Sequence, residues 1–258
     1  MFTLHNGDCL EYMKSLQSES IDCIVTDPPY GIDYAEWDKN IDFLPFLSSL
    51  QSEFIRIIKP GAICFVWIPK NKLYSLDELP FDFDVFIETK NFAQMRPHNI
   101  LLDCWVPVLM FSSGKPRRIK KKGFGKNWYM VNTANTSFNR DNPRNIDHPT
   151  VKDVSIIRYF LEMASHRGET VFDPFMGSGT TGVACLQTGR HFLGCELKAE
   201  YFSIAESRIK SAALQPGLPT PSNNRLHLDV GDSPAQQALF TPEADSAEGK
   251  LPAPAPRR

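Results

Sequence analysis

Two short segments of the chain carry residue types that can do chemistry. The first is Asp27-Pro28-Pro29-Tyr30. Its Asp27 carboxylate and Pro28 carbonyl put two hydrogen-bond acceptors on a backbone that two prolines stiffen. Tyr30 adds a flat face for stacking. That set suits an exocyclic amino group on a base. The nitrogen lone pair there is delocalised into the ring, and two acceptors on its N–H groups localise it for attack on an electrophile. The tetrapeptide by itself also reads as an ordinary turn, because Asp and Pro favour turns. The second segment runs from Asp173 to Gly182, where Gly177, Gly179 and Gly182 satisfy G-x-G-x-x-G. Glycines at this spacing allow a tight turn and close backbone approach, and a helix N-terminus behind them offers unpaired N–H groups to an anion. Glu196 follows Gly177 by 19 residues, the spacing at which a carboxylate accepts bonds from ribose hydroxyls.

The elements around these segments decide whether they can meet. Ile21-Asp22-Cys23-Ile24-Val25-Thr26 has the apolar, β-branched pattern of a buried strand, so Asp27 stands at its carboxyl end. Thr170-Val171-Phe172 predicts a strand before the glycine turn, Gly179–Thr188 a helix after it, and His191–Cys195 a strand leading to Glu196. Further strands are expected at Phe2–His5, Ala62–Ile68, Val85–Thr89 and Trp105–Phe111. Helices are expected at Leu10–Leu16, Phe43–Ile58, Ser155–Ala164 and Ala199–Ala212, with Lys59-Pro60-Gly61 as a stop signal. Strands alternating with helices predict an α/β fold, a mostly parallel sheet covered on both faces. In such sheets ligands bind at the carboxyl ends of the strands.

The glycine turn fits two cofactor classes, a nicotinamide or flavin dinucleotide and S-adenosylmethionine. A dinucleotide fold usually opens with this turn and then supplies a full sheet. Here one strand and one helix follow it before a Pro-rich tail, so the rest of the sheet must come from the N-terminal strands. That order predicts a circularly permuted domain in which Asp8, ending an N-terminal strand, lies beside Glu196 and accepts from an adenine amino group.

In this order of motifs the chain resembles the permuted (beta) group of DNA amino-methyltransferases over about residues 2–211. The resemblance rests on Asn6-Gly7-Asp8, on Asp27-Pro28-Pro29-Tyr30-Gly31, and on a basic recognition region. It rests also on His148-Pro149-Thr150-Val151-Lys152, and on Asp173-Pro174-Phe175-Met176-Gly177-Ser178-Gly179-Thr180-Thr181 with Glu196. It implies a Rossmann-like methyltransferase fold and transfer of a methyl group from S-adenosylmethionine to adenine N6 or cytosine N4 of a flipped-out base. It places Asp27, Pro28, Pro29 and Tyr30 at the target base. Asp173, Phe175, Gly177, Gly179 and Thr180 would surround the methionine half of the cofactor. Thr150 and Lys152 would lie near its carboxylate, Glu196 at the ribose and Asp8 at the adenine. Asp heading the Pro-Pro-Tyr motif leans toward adenine, since cytosine-directed relatives often carry Ser there. Where the group usually has Pro after the lysine, this chain has Asp153, which predicts a local backbone change without loss of activity.

Composition adds bounds. The net charge of −2 over 258 residues hides a segment from Cys104 to Arg140 that holds no Asp or Glu. That segment holds Lys115, Arg117, Arg118, Lys120, Lys121, Lys122, Lys126 and Arg140, a charge of +8 in 37 residues. Interleaved aromatics and asparagines suit residues 112–147 to contact double-stranded DNA, with an affinity that falls steeply with salt. The six cysteines form no C-x-x-C pair, so no metal site is expected and a reducing cytoplasm fits them. No apolar run reaches membrane-spanning length, and the first residues do not read as a signal peptide. Residues 212–258 hold eight of the twenty prolines and read as a disordered tail after a methyltransferase domain of residues 1–211. Within the tail, Gln236-Gln237-Ala238-Leu239-Phe240 resembles the short peptide by which bacterial proteins dock on the DNA polymerase sliding clamp. Dimers are frequent in the resembled group, so a homodimer is a further expectation.

Overall fold

Apolar residues recur along α2 (Phe43–Ile57) as Phe43, Leu47, Leu50, Phe54 and Ile57, one buried stripe at helical spacing. Along the strands the period is two. In β2 (Ile21–Thr26), Cys23 and Val25 enter one core while Ile24 enters the other, and in β3 (Ile58–Trp67), Phe65 and Trp67 oppose Cys64 and Val66 in the same way. A sheet buried on both faces follows from that pattern.

The computed structural model describes residues 1–31, 41–79, 81–94, 103–117, 128–131 and 151–214, all within the unit Met1–Thr220. The remaining elements are β1 (Phe2–Asn6), α1 (Cys9–Ser15), a 3-10 helix (Lys70–Glu78), β4 (Asp84–Gln94), β5 (Asp103–Ser112), β6 (Trp128–Val131), α3 (Val154–Ala164), β7 (Thr170–Asp173), α4 (Thr180–Gln187), β8 (His191–Glu196) and α5 (Ala199–Ala213). The described strands form one sheet in the order β1-β8-β7-β2-β3-β5-β4-β6. Pairing is parallel except where β5 runs against β3 and β4. One face is covered by α1, α2 and the 3-10 helix, the other by α3, α4 and α5.

The order explains the permutation. The strands of the glycine turn, β7 and β8, sit between β2 and β1, so the end of the chain is inserted between two strands from its beginning. Asn6 of β1 is in register with Glu196 of β8, and Gly7 N–H donates to the Glu196 carbonyl at 3.0 Å. Asp8 and Glu196 therefore leave neighbouring strands at the carboxyl edge.

Two differences from the expected elements have physical causes. Lys59-Pro60-Gly61 does not separate helix from strand, because β3 already begins at Ile58. The register jumps from Ile21↔Ile58 to Cys23↔Ile63, and this bulge absorbs Pro60, which cannot donate to the ladder. The short strand β6 and the 3-10 helix were not apparent in the sequence. β6 has only four residues, too few to show a period. The segment that begins at residue 215, with the whole of the expected clamp peptide, lies outside the described residues.

Candidate active site at the carboxyl edge of the sheet

The central strand β2 ends at Thr26 and delivers Asp27-Pro28-Pro29-Tyr30 to the carboxyl edge. Gly31 closes the turn in the left-handed region at φ +67. A Cβ there would meet the Ile41 carbonyl oxygen at 2.0 Å, so only glycine fits. Tyr30 packs edge-on against Phe43 of α2 with ring centroids 5.9 Å apart, and its hydroxyl donates to Asp27 Oδ1. The other carboxylate oxygen, Oδ2, accepts from Lys152 Nζ at 2.9 Å. Both partners of that pair are about one quarter exposed, so the group faces an opening and is not sealed in the core.

The glycine turn stands beside this site because β7 pairs with β2. Asp173, the last residue of β7, joins the two. Its Oδ1 accepts from Thr26 Oγ1 at 2.8 Å and from Phe175 N–H at 3.1 Å, and its Oδ2 accepts from Thr181 Oγ1 at 2.6 Å. The residue before Asp27, the turn itself and the start of α4 are thus tied to one buried carboxylate. Burial dominates its titration and pushes its pKa up to about 7, against the three hydrogen bonds, which favour the charged form.

Glu196 holds the other end of the turn. Its Oε2 accepts from Gly177 N–H at 3.0 Å and its Oε1 from Lys198 N–H at 2.9 Å. Burial raises its pKa despite these bonds. Each carboxylate oxygen has a second lone pair, so the group keeps acceptor capacity toward a ligand. Gly179 has φ +80, and a Cβ there would meet Ala205 of α5 at 3.0 Å. The turn is therefore pressed between α5 and the sheet edge. Arg208 of α5 donates to the Ser178 carbonyl, and Thr180 is buried beneath that helix with its Oγ1 3.4 Å from Arg208 Nη1. Phe175 lies half-buried, edge-on to Phe46 of α2 at 6.0 Å. Asp8 is exposed; it caps α1 through Oδ1, which accepts from Glu11 N–H at 3.0 Å.

Of the residues expected at the site, Asp8, Asp27, Pro28, Pro29, Tyr30, Lys152, Asp173, Phe175, Gly177, Gly179, Thr180 and Glu196 all stand along the carboxyl edge. Thr150 lies outside the described residues. Three placements differ from expectation. Lys152, expected at the cofactor carboxylate, has its ammonium on Asp27. Asp153, expected to alter the local backbone, keeps an angle that proline also adopts. Its φ is −73, and its side chain caps α3 by accepting from Ser155 N–H at 2.6 Å. Arg117, expected on DNA, is engaged at the opposite edge of the sheet. It makes a two-pronged pair with Glu169 at 3.0 Å and donates to the Asp22 carbonyl at 2.7 Å. Exposed Lys115 adjoins it beside Gly61. Arg118, Lys120, Lys121, Lys122, Lys126 and Arg140 lie outside the described residues.

Comparison with known proteins decides the family. The model for DNA methylases of the N6/N4 class matches residues 65–207. The chain belongs to this family. Membership removes the oxidoreductase reading of the glycine turn. Among curated relatives, the methylase is 26% identical over 232 residues to the Type II methyltransferase M.HpaI of Haemophilus parainfluenzae, covering 80% of this chain and 73% of that one. It is 25% identical to M1.MboII of Moraxella bovis, covering 78% and 94%. The fold matches the crystal structure of M1.HpyAVI in complex with SAM, with a TM-score of 0.63, 24% identity, and coverage of 81% of this chain and 99% of that one. It also matches the cytosine-N4-specific PvuII DNA methyltransferase, with a TM-score of 0.63, 20% identity, and coverage of 80% and 86%.

The sequence reading missed two buried residues beside the site, Trp67 and Glu88. Trp67 Nε1 donates to Glu88 Oε2 at 2.7 Å, and Lys152 Nζ stands over the Trp67 ring, 5.0 Å from its centroid. A signal was present in Val85-Phe86-Ile87-Glu88-Thr89, where an acid falls on the same strand parity as buried Phe86. Its partner was not legible, because β5 lies between β3 and β4.

Proposed function

We propose that this DNA methylase transfers a methyl group from S-adenosylmethionine to the exocyclic N6 of adenine in double-stranded DNA. The observation that carries the reading is the juxtaposition at one sheet edge of the Asp27 carboxylate, with Tyr30 on it, and the glycine turn held by Asp173 and Glu196. The donor set fits the cofactor. Glu196 and Asp8, on adjacent strand ends, are acceptors for ribose hydroxyls and an adenine amino group. The turn around Gly177 and Gly179, with Asp173, Phe175 and Thr180, would face the methionine half, with Thr150 near its carboxylate. S-adenosylmethionine, when bound, supplies the methyl group on an electrophilic sulfonium.

The chain's own residues do the rest. Asp27 and the Pro28 carbonyl accept the two N–H bonds of the target amino group and turn its lone pair toward the methyl carbon. As the N–C bond forms and the C–S bond breaks, positive charge grows on the nitrogen, and the Asp27 carboxylate stabilises it. The nitrogen then gives up one proton along its hydrogen bond to the Asp27 carboxylate, which is partly exposed and passes it to water. Tyr30 and rigid Pro28-Pro29 hold the flipped base in line, and such orientation supplies much of the rate. Asp at the head of the motif favours adenine. The PvuII enzyme shares the fold and acts on cytosine N4, so the fold alone leaves cytosine N4 as the second reading.

The DNA contacts proposed are the basic residues Arg118, Lys120, Lys121, Lys122, Lys126 and Arg140 on phosphates. Because α5 runs to Ala213, past the expected boundary at residue 211, the domain is proposed to comprise residues 1–214, in the cytoplasm, with residues 215–258 as a disordered tail whose Gln236–Phe240 peptide docks on a sliding clamp. Loss of clamp pull-down by the double change Leu239→Ala, Phe240→Ala tests the tail, and light scattering tests the proposed homodimer. One experiment tests the activity. The protein is expressed in a methylation-free bacterial host and the modified bases in host DNA are read. N6-methyladenine at a fixed sequence is expected. N4-methylcytosine would replace the adenine reading, and unmodified DNA would end both.

A further inference from the structure

We infer that Glu88 and Trp67 are positioning residues of the methyl-transfer site, acting through Lys152 on Asp27. This rests on the reading that Asp27 engages the target amino group. Glu88 and Trp67 are almost fully buried, at 3% and 1% exposure. The Trp67 ring is held edge-on to Phe160 with centroids 5.4 Å apart, and Phe86 packs on the same Phe160 ring at 5.0 Å. Glu88 therefore sits in an aromatic core where an acid is costly unless it has work to do.

A chain of contacts leads from that core to the reaction centre. Glu88 Oε2 accepts the indole N–H of Trp67 at 2.7 Å. An anion on the N–H edge pushes electron density toward the ring face, which strengthens its attraction for a cation. The cation over that face is Lys152, at 5.0 Å, and its Nζ is 2.9 Å from Asp27 Oδ2. Tyr30 holds the other oxygen. The carboxylate is thus oriented from both sides, and its spare lone pairs remain for the amino group of the base.

A double-mutant cycle on the full-length protein tests this, using single-turnover transfer of labelled methyl groups from S-adenosylmethionine to unmodified bacterial genomic DNA. Glu88→Gln keeps an acceptor for Trp67 and removes the charge. Lys152→Met removes the ammonium and keeps the stem. Glu88→Gln is expected to lower the rate about tenfold and Lys152→Met about a hundredfold, with the double variant no slower than Lys152→Met, the non-additivity of residues acting as one unit. Cofactor affinity by equilibrium dialysis and the DNA concentration at half-maximal rate should stay unchanged in Glu88→Gln. Lys152→Arg should recover part of the loss, because the charge returns. If Glu88→Gln proves poorly folded, Trp67→Phe replaces it in the cycle, since it keeps a ring and removes the indole N–H. Losses that multiply, or a Glu88→Gln loss confined to melting temperature, would overturn the inference. Asp27→Ala serves as the separating control. If it stays active, the reading of the site fails. If it is dead while the losses multiply, only the role of Glu88 and Trp67 fails.

Discussion

Asp22 and Asp27 stand at opposite ends of the same strand, and each is the centre of a charged cluster. At the amino end, Asp22 is 5% exposed and fully engaged. Its Oδ1 accepts from Lys59 Nζ at 2.8 Å, its Oδ2 accepts from Thr170 N–H at 2.9 Å, and Arg117 reaches it at 3.6 Å while pairing with Glu169. At the carboxyl end, Asp27 is 23% exposed and is held by a hydroxyl and one ammonium, both on side chains. The difference lies in what completes each cluster. The amino-end cluster closes on backbone groups of β2 and β7 and on a two-pronged arginine, and it joins strands to the loop after β5. The carboxyl-end cluster is held by side chains at an opening where backbone turns of β2, β7, β8 and β1 converge. Similar chemistry on one strand therefore yields a clamp at one end and a reaction centre at the other.

Breaking each end separately should give opposite signatures. The largest effect is expected from Asp27→Ala, which should lower methyl transfer by about a thousandfold or more while leaving cofactor affinity near normal, because one acceptor of the reacting amino group is gone. Methylation of host DNA and equilibrium dialysis measure the two. Arg117→Met should do the reverse. It removes the two-pronged partner of Glu169 and a donor to the Asp22 carbonyl, while Lys59 and Thr170 N–H still hold the Asp22 carboxylate, and should cost about 2 kcal/mol of stability, read from denaturant unfolding. Transfer per folded molecule should hold. A reduced dependence of DNA affinity on salt in this variant would put Arg117 on the DNA and dissolve the contrast.

Asp173→Asn sharpens the comparison through pH. Asp173 has a folded pKa of about 7, above its unfolded value of 3.8. The folded state therefore binds more protons than the unfolded one between those values. The contribution of Asp173 to stability must fall as pH rises through that window and level off above it. The difference in melting temperature between wild type and Asp173→Asn should vary across pH 4–7 and flatten beyond. A constant difference would mean that the group is not buried as described. The smallest effect is expected from Lys115→Ala. It is exposed at the amino edge, and its loss should leave both stability and the salt slope of DNA binding within error, whereas a phosphate contact would reduce that slope by about 0.9.

Much of the site was legible in local order. Asp27, Asp173 and Glu196 each follow an apolar run that ends in a turn, and strand polarity puts all three at one edge. The permutation was legible because too little chain follows the glycine turn to complete a sheet. Other features were not. The task of Arg117 was read from charge and that of Lys152 from the motif resemblance, and neither says which acid the fold brings to the side chain. Asp153 in place of proline looked like a disturbance, yet the backbone angle it adopts is one proline shares.

What the sequence determined by itself is therefore the chemistry available and the end of the sheet where it collects, because periodicity and turn residues act over a few positions. What only the tertiary structure decided is the pairing of charges: Lys152 with Asp27, Glu88 with Trp67, Arg117 with Glu169. Those partners come from separate elements, and the residues that meet depend on strand order and register, which hydrophobic burial across the whole domain sets. An ion pair contributes too little, and over too short a range, to dictate that order.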